Sequence, residues 1–176
     1  MIVIGFLSID TFSHYHLITA EKRVKMQNEA SFVLEHMAKY MTPAIGNSSY
    51  YPVDFGTDSV RTFVDTNQNG IFDPPAGSYG ADRWIGYRRS AANVIEFCAN
   101  LSYPSGATCA SNWEPLSTHL VSNMNNAYIA VDTSLNYLTV FVSACYDPNT
   151  ISTCGYSENP TVNMTTRIKM PSVAIR

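Results

Sequence analysis

Apolar residues change their spacing twice along this chain, and the two changes divide it. From Met1 to Phe12 nearly every position is apolar (Met1, Ile2, Val3, Ile4, Phe6, Leu7, Ile9, Phe12), so a helix here is hydrophobic on all sides and must be buried in lipid or protein. From Leu17 the apolar positions thin to three- and four-residue spacing: Leu17, Ala20, Val24, Ala30, Val33, Leu34, Met37, Ala38 and Met41. That is the pattern of one packed face. Glu21, Lys22, Arg23, Lys25, Glu29, Glu35 and Lys39 occupy the other side. No proline interrupts the run before Pro43, which biases Thr42 out of helical geometry. The spacing predicts one helix over residues 1–41, about 60 Å long at about 1.5 Å per residue.

The remaining chain is too small to bury such a helix. A bilayer core needs roughly 20 apolar residues, and this run supplies about 12. The apolar end is expected to continue upstream by a dozen or so residues, or to pack against copies of itself. The division is therefore a helical segment, 1–42, and a head, 43–176.

In the head the period shifts to two. Thr42 to Ser59 opens as a loop broken by Pro43, Gly46 and Pro52, with Tyr50, Tyr51 and Phe55 packing back on the helix. Val60 to Val64 reads as a short strand, and Trp84 to Arg89 and Asn93 to Cys98 as a hairpin turning at Ser90 to Ala92. Leu116 to Met124 carries Leu116, Leu120 and Val121 at helical spacing and reads as a short helical turn or an irregular segment. Ala127 to Val131 and Tyr137 to Ala144 form a second hairpin through Asp132 to Asn136, and Val162 to Met170 is a last strand ended by Pro171. Successive hairpins predict an antiparallel sheet of about five strands on the amphipathic half of the helix.

Between the first strand and the first hairpin lies the sharpest motif, Asp65-Thr66-Asn67-Gln68-Asn69-Gly70-Ile71-Phe72-Asp73. Asp65, Asn67, Asn69 and Asp73 stand at positions one, three, five and nine of a calcium loop of the EF-hand type, with Gly70 at six and the Ile71 carbonyl at seven. The twelfth position is Ala76 rather than a bidentate glutamate, and Pro74 and Pro75 forbid an exiting helix. The loop would close through Asp73, water or Asp82. The motif predicts a structural calcium site of modest affinity, roughly 0.1–1 mM as in extracellular modules. The competing reading is a polar turn with Asn69-Gly70 at its tip.

Four cysteines bound the compartment. Cys98 and Cys109, and Cys145 and Cys154, each enclose a short stretch rich in turn residues. Of the three possible connectivities we expect the sequential pairs. Stable disulfides imply an extracellular or periplasmic location. A four-cysteine zinc site would want shorter spacings, and free buried thiols are the other alternative.

Composition narrows the function classes. Charged residues make up 14% of the chain, well under the roughly 25% of average proteins, and a net charge of -3 leaves no basic patch for nucleic acid. Catalytic groups are sparse. His14 and His16 are two apart on a helix and face different sides, and His36 and His119 lie apart from any motif partner. Asp54, Asp58, Glu96 and Glu114 are not placed together by sequence. No enzyme is expected.

The apolar helix start, the segment Lys25-Met26-Gln27-Asn28-Glu29-Ala30-Ser31-Phe32-Val33-Leu34-Glu35-His36-Met37-Ala38, and the cysteine-bearing head resemble the type IV pilin superfamily, the helical segment most of all the PilW-type pilins. Asn159 to Met170 resembles the last strand of such proteins. Two family hallmarks do not occur: a leader with its Gly-Phe cleavage site, and a glutamate inside the apolar run. The resemblance implies an α+β, pilin-like fold, a long N-terminal helix on an antiparallel sheet head with disulfide-braced loops. It further implies a bacterial cell-surface filament subunit, held in the inner membrane before assembly. Ile2, Ile4, Phe6, Leu7, Ile9 and Phe12 would then pack against identical subunits, with no nucleic acid required. The alternative is a minor pilin, pseudopilin or membrane-anchored binding module that recognises a surface or partner.

Overall fold

The computed structural model describes residues 2–46, 52–56, 58–72, 82–102, 108–119, 130–132 and 137–170, with the backbone alone at 2–11, 55, 130–132 and 148–149. Among the described residues one α-helix, α1, runs over Ile2–Met41. Without a proline or interior break it continues until Thr42, whose N–H bonds the Ala38 carbonyl at 3.1 Å. Pro43 then turns the chain onto a strand: the Ile45 N–H reaches the Phe63 carbonyl at 3.0 Å, and the Asp65 N–H the Pro43 carbonyl at 2.9 Å. The helix end and the start of the Asp65 loop are thus tied together.

Nine strands follow: β1 (Val53–Gly56), β2 (Ser59–Val64), β3 (Arg83–Arg89), β4 (Ile95–Ser102), β5 (Thr108–Cys109), β6 (Glu114–Pro115), β7 (Ala130–Asp132), β8 (Tyr137–Cys145) and β9 (Thr161–Lys169). The first four form an antiparallel meander, and both β5 and β6 pair with the far edge of β4. Strands β7, β8 and β9 make a separate three-stranded antiparallel sheet. Burial along β8 alternates strictly from Tyr137 to Ala144, as a strand with one face on the core should.

This corrects the expected fold class. The α+β, pilin-like reading placed one sheet of about five strands on the helix, whereas the described chain is strand-dominated, nine strands in two sheets against one helix. The misreading has physical causes. Val53–Gly56 lies beside Pro52 and a hairpin glycine and so reads as loop. A two-residue strand such as β5 or β6 cannot display alternation at all. Of the segment 116–124, read as a short helical turn or an irregular stretch, 116–119 is irregular and 120–124 lies outside the described residues. The expected strand 127–131 is described only from Ala130.

Both sheets share one core with the helix. Met26, Ala30, Val33, Leu34, Met37 and Met41 are buried against Leu138, Val140, Val142 and Ala144 of β8, Ile168 of β9, and Val60, Ile85, Ile95 and Phe97 of the larger sheet. The stripe expected from Leu17 onward therefore begins at Met26. Leu17 and Val24 are 66% and 54% exposed. At 3.6 residues per turn they point to the side of the helix roughly opposite Met26 and Val33.

Candidate functional site

The helix is held to the head along one edge by the segment after β8. Tyr15 donates its hydroxyl to Ser157 Oγ at 2.7 Å, and Lys22 Nζ donates to the Glu158 carbonyl at 2.9 Å while lying 4.8 Å from the Tyr146 ring centroid. That segment is stiff for two reasons. Cys145 and Cys154 are joined, and the buried Asn159 side chain sits at the centre of the loop they close. Its Nδ2 donates among the carbonyls of Asp147 (3.2 Å) and Thr150 (3.3 Å) and Thr153 Oγ1 (3.1 Å), and its Oδ1 accepts the Asp147 N–H at 2.8 Å. Cys98 and Cys109 are joined in the same sequential manner and staple β5 to β4. Both expected pairs therefore form, which is compatible with an extracellular or secreted protein.

Before the clamp the described side chains Phe12, Ser13 and His14 are exposed, Phe12 at 66%, and His16, Leu17 and Ile18 between its contacts are exposed as well. Ile2, Ile4, Phe6, Leu7 and Ile9 lie on the helical backbone, and their side chains are outside the described residues. No helix among the described residues is long and apolar enough to cross a membrane.

The Asp65 loop folds around its own oxygens. The Asp65 carboxylate accepts the N–H of Asn69 (3.2 Å) and of Gly70 (2.7 Å). Asn67 Oδ1 accepts from the Asn69 N–H at 3.0 Å and Asn69 Oδ1 from the Ile71 N–H at 2.7 Å. Gln68 and Gly70 take positive φ, 58° and 72°, which draws the chain into a tight curl; only Gly70 does so without cost. Asp82 is fully buried and accepts the Thr66 N–H at 3.1 Å. Asp73 lies outside the described residues. The donor set of Asp65, Asn67 and Asn69 is hard oxygen, the chemistry of calcium rather than of zinc. Among the described residues no three of His, Cys, Asp and Glu converge.

Two polar contacts between helix and head escaped the sequence reading. Glu29 accepts from Ser117 Oγ at 2.8 Å and lies 2.9 Å from His119 Nδ1. The serine hydroxyl is bonded to the carboxylate rather than to the imidazole, so the three do not make the serine–histidine pair of a nucleophilic site. His36 Nδ1 is 3.1 Å from the Tyr87 hydroxyl, with its ring between Tyr40 and Phe97. Burial first, then Lys39, lowers its pKa, and Glu114 opposes them weakly. Burial pushes the Tyr87 hydroxyl up, so it stays protonated. Such partners are far apart in sequence, and the only local hint was polar residues near the packed face. The candidate acids resolve differently: Asp54, Asp58 and Glu96 each pair with an arginine, Arg61, Arg89 and Arg88 in turn. Comparison with protein-family models, with curated proteins and with solved structures found no match to this chain.

Proposed function

We propose that the chain is a structural subunit of an extracellular, type IV pilus-like filament that assembles through α1 and displays its strand-rich head outward. The observation that carries this reading is the helix surface left outside the head. Phe12, Leu17, Val24 and Phe32 are each more than half exposed, and the sequence upstream of them is more apolar still. Burying one such side chain is worth about 1.5–3 kcal/mol, so contact with a second helix offsets the loss of freedom on association. A head-to-tail contact that does not close on itself grows into a helical fibre. The resemblance of 25–38 and 159–170 to type IV pilins points the same way.

In this reading calcium is structural. Asp65, Asn67, Asn69, the Ile71 carbonyl and Asp73 would hold it, and the ion would supply only electrostatic cross-linking of the loop. Because the Asp65 N–H is bonded to Pro43, fixing the loop also fixes the point where helix meets head.

The test is to shear surface appendages from producing cells and image them by electron cryomicroscopy. A filament map that traces this sequence in every subunit is the expected result. Finding the chain only at filament tips, or in no filament, would overturn the assignment in favour of a minor subunit or an anchored binding module.

A further inference from the structure

We infer that the face of the larger sheet turned away from the helix carries a saccharide-binding cleft, with Trp113 as its wall and Ser59, Arg61, Arg88 and Asp58 as its polar groups. The register assigns the faces. Ser59 lies opposite Arg88, Arg61 opposite Gly86, and Arg88 opposite Glu96, so these five share one face. Tyr87 and Phe97, one position away, meet His36 of the helix on the other.

Trp113 packs over Gly86: a Cβ there would stand 3.5 Å from Trp113 Cη2, in ordinary contact, and 3.1 Å from Leu101 Cδ2, where the leucine would have to give by a few tenths of an ångström. The Arg88 guanidinium stacks on that indole at 4.0 Å and fixes its tilt. Beside it, at the edge of the sheet near the β1–β2 turn, opens a cleft of about 230 Å³ lined by Asp58, Ser59, Arg61, Arg88 and Trp113 and reached also by Tyr87 and Arg89 of the neighbouring register positions. That is smaller than the roughly 300 Å³ at which drug-sized pockets begin, and suits a single ring with its substituents.

Charge selects the ligand class. Arg61 pairs with Asp54 at 2.7 Å, Arg88 with Glu96 at 2.8 Å, and Arg89 with Asp58 at 2.8 Å, so each guanidinium is matched by a carboxylate. A phosphate or sulfate would have to displace a carboxylate that already occupies its partner, and would face the remaining acids. What the cleft offers instead is planar donors and acceptors side by side: guanidinium forks, carboxylate oxygens and a serine hydroxyl. Vicinal hydroxyls of a sugar present the complementary set, and the partly positive C–H face of a pyranose packs on the negative π face of an indole. Ser59, Arg61 and Arg88 lie on the face turned away from α1, so the inference does not depend on filament assembly.

The chain has two tryptophans, Trp84 and Trp113, so two indole N–H signals report on the head. These would be followed by NMR as glucose, galactose, N-acetylglucosamine, N-acetylgalactosamine and glucuronic acid are added in turn, with sodium sulfate as the anion control. Trp113→Phe assigns the signals. We expect at least one neutral sugar to shift the Trp113 signal saturably while Trp84 stays still, and Arg61→Ala to weaken that response about tenfold, the loss of one charge-assisted hydrogen bond. Should Arg61→Ala not fold, Arg61→Lys keeps the charge, loses the fork, and is expected to weaken binding likewise. No saturable shift with any sugar, equal movement of both indoles, or a response confined to sulfate and glucuronic acid would overturn the inference.

Discussion

His36 is where a single proton bears on the fold. Its ring is packed among Tyr40, Tyr87 and Phe97, and burial, then Lys39, holds its pKa below the ordinary 6.5. The unfolded chain therefore takes up the proton first as pH falls. The stability this residue contributes is complete above about pH 6.5 and is lost as pH drops through the lowered value. Urea midpoints measured from neutral to mildly acidic pH should fall more steeply in the native protein than in His36→Gln; parallel curves would mean that the imidazole is indifferent to charge. Asn159 is a second decisive residue, for a different reason. Its amide satisfies several backbone groups at once in the Cys145 loop, so Asn159→Ala strands buried partners and should cost about 1–3 kcal/mol, read from the same urea transitions.

Among the elements, the helix was legible and the sheets only in part. Helix ends are written in residues: nothing breaks the run before Pro43, and the described helix stops at Met41. The sequential disulfides were legible because a short polar interval brings its two ends together whatever else the chain does. Strand pairing is different in kind. Nothing local in Thr108-Cys109 or Glu114-Pro115 says that both will share the edge of β4, and the division into two sheets depends on where the helix lies. The helical stripe shows the same limit, since Leu17 and Val24 keep the spacing of a packed face while pointing away from Met26 and Val33. Two elements can be tested by removal. Replacing both Cys145 and Cys154 by serine opens a loop whose ends are 9 apart in sequence. The chain-entropy model gives about 2.5 kcal/mol for such a closure, and the loss should appear as a lower urea midpoint together with faster amide exchange in the helix around Tyr15 to Lys22. For the Asp65 loop, calcium should raise the thermal midpoint and chelator lower it. Asp65→Asn should abolish the difference, and a midpoint indifferent to calcium in the native chain would reduce the motif to a turn.

At the scale of the whole molecule the helix serves two surfaces, and they can be separated by mutation. Met37 is fully buried between helix and sheets, so Met37→Ala should destabilise the single subunit by about 2–5 kcal/mol through a cavity. Leu17 and Val24 touch water in the single subunit, so Leu17→Ser with Val24→Ser should leave its urea midpoint within the roughly 0.5 kcal/mol typical of surface changes. If the exposed side of α1 is the assembly surface, the second pair is the one that matters to polymer. Filaments should then be lost or sharply reduced in cells that make the double mutant, although the protein folds and accumulates normally. The reverse outcome, filaments unaffected by Leu17 and Val24, would place the subunit contact elsewhere on the molecule. The comparison is informative because folding and assembly draw on opposite sides of one helix: a change that leaves the first untouched and removes the second identifies the surface that joins copies of this chain.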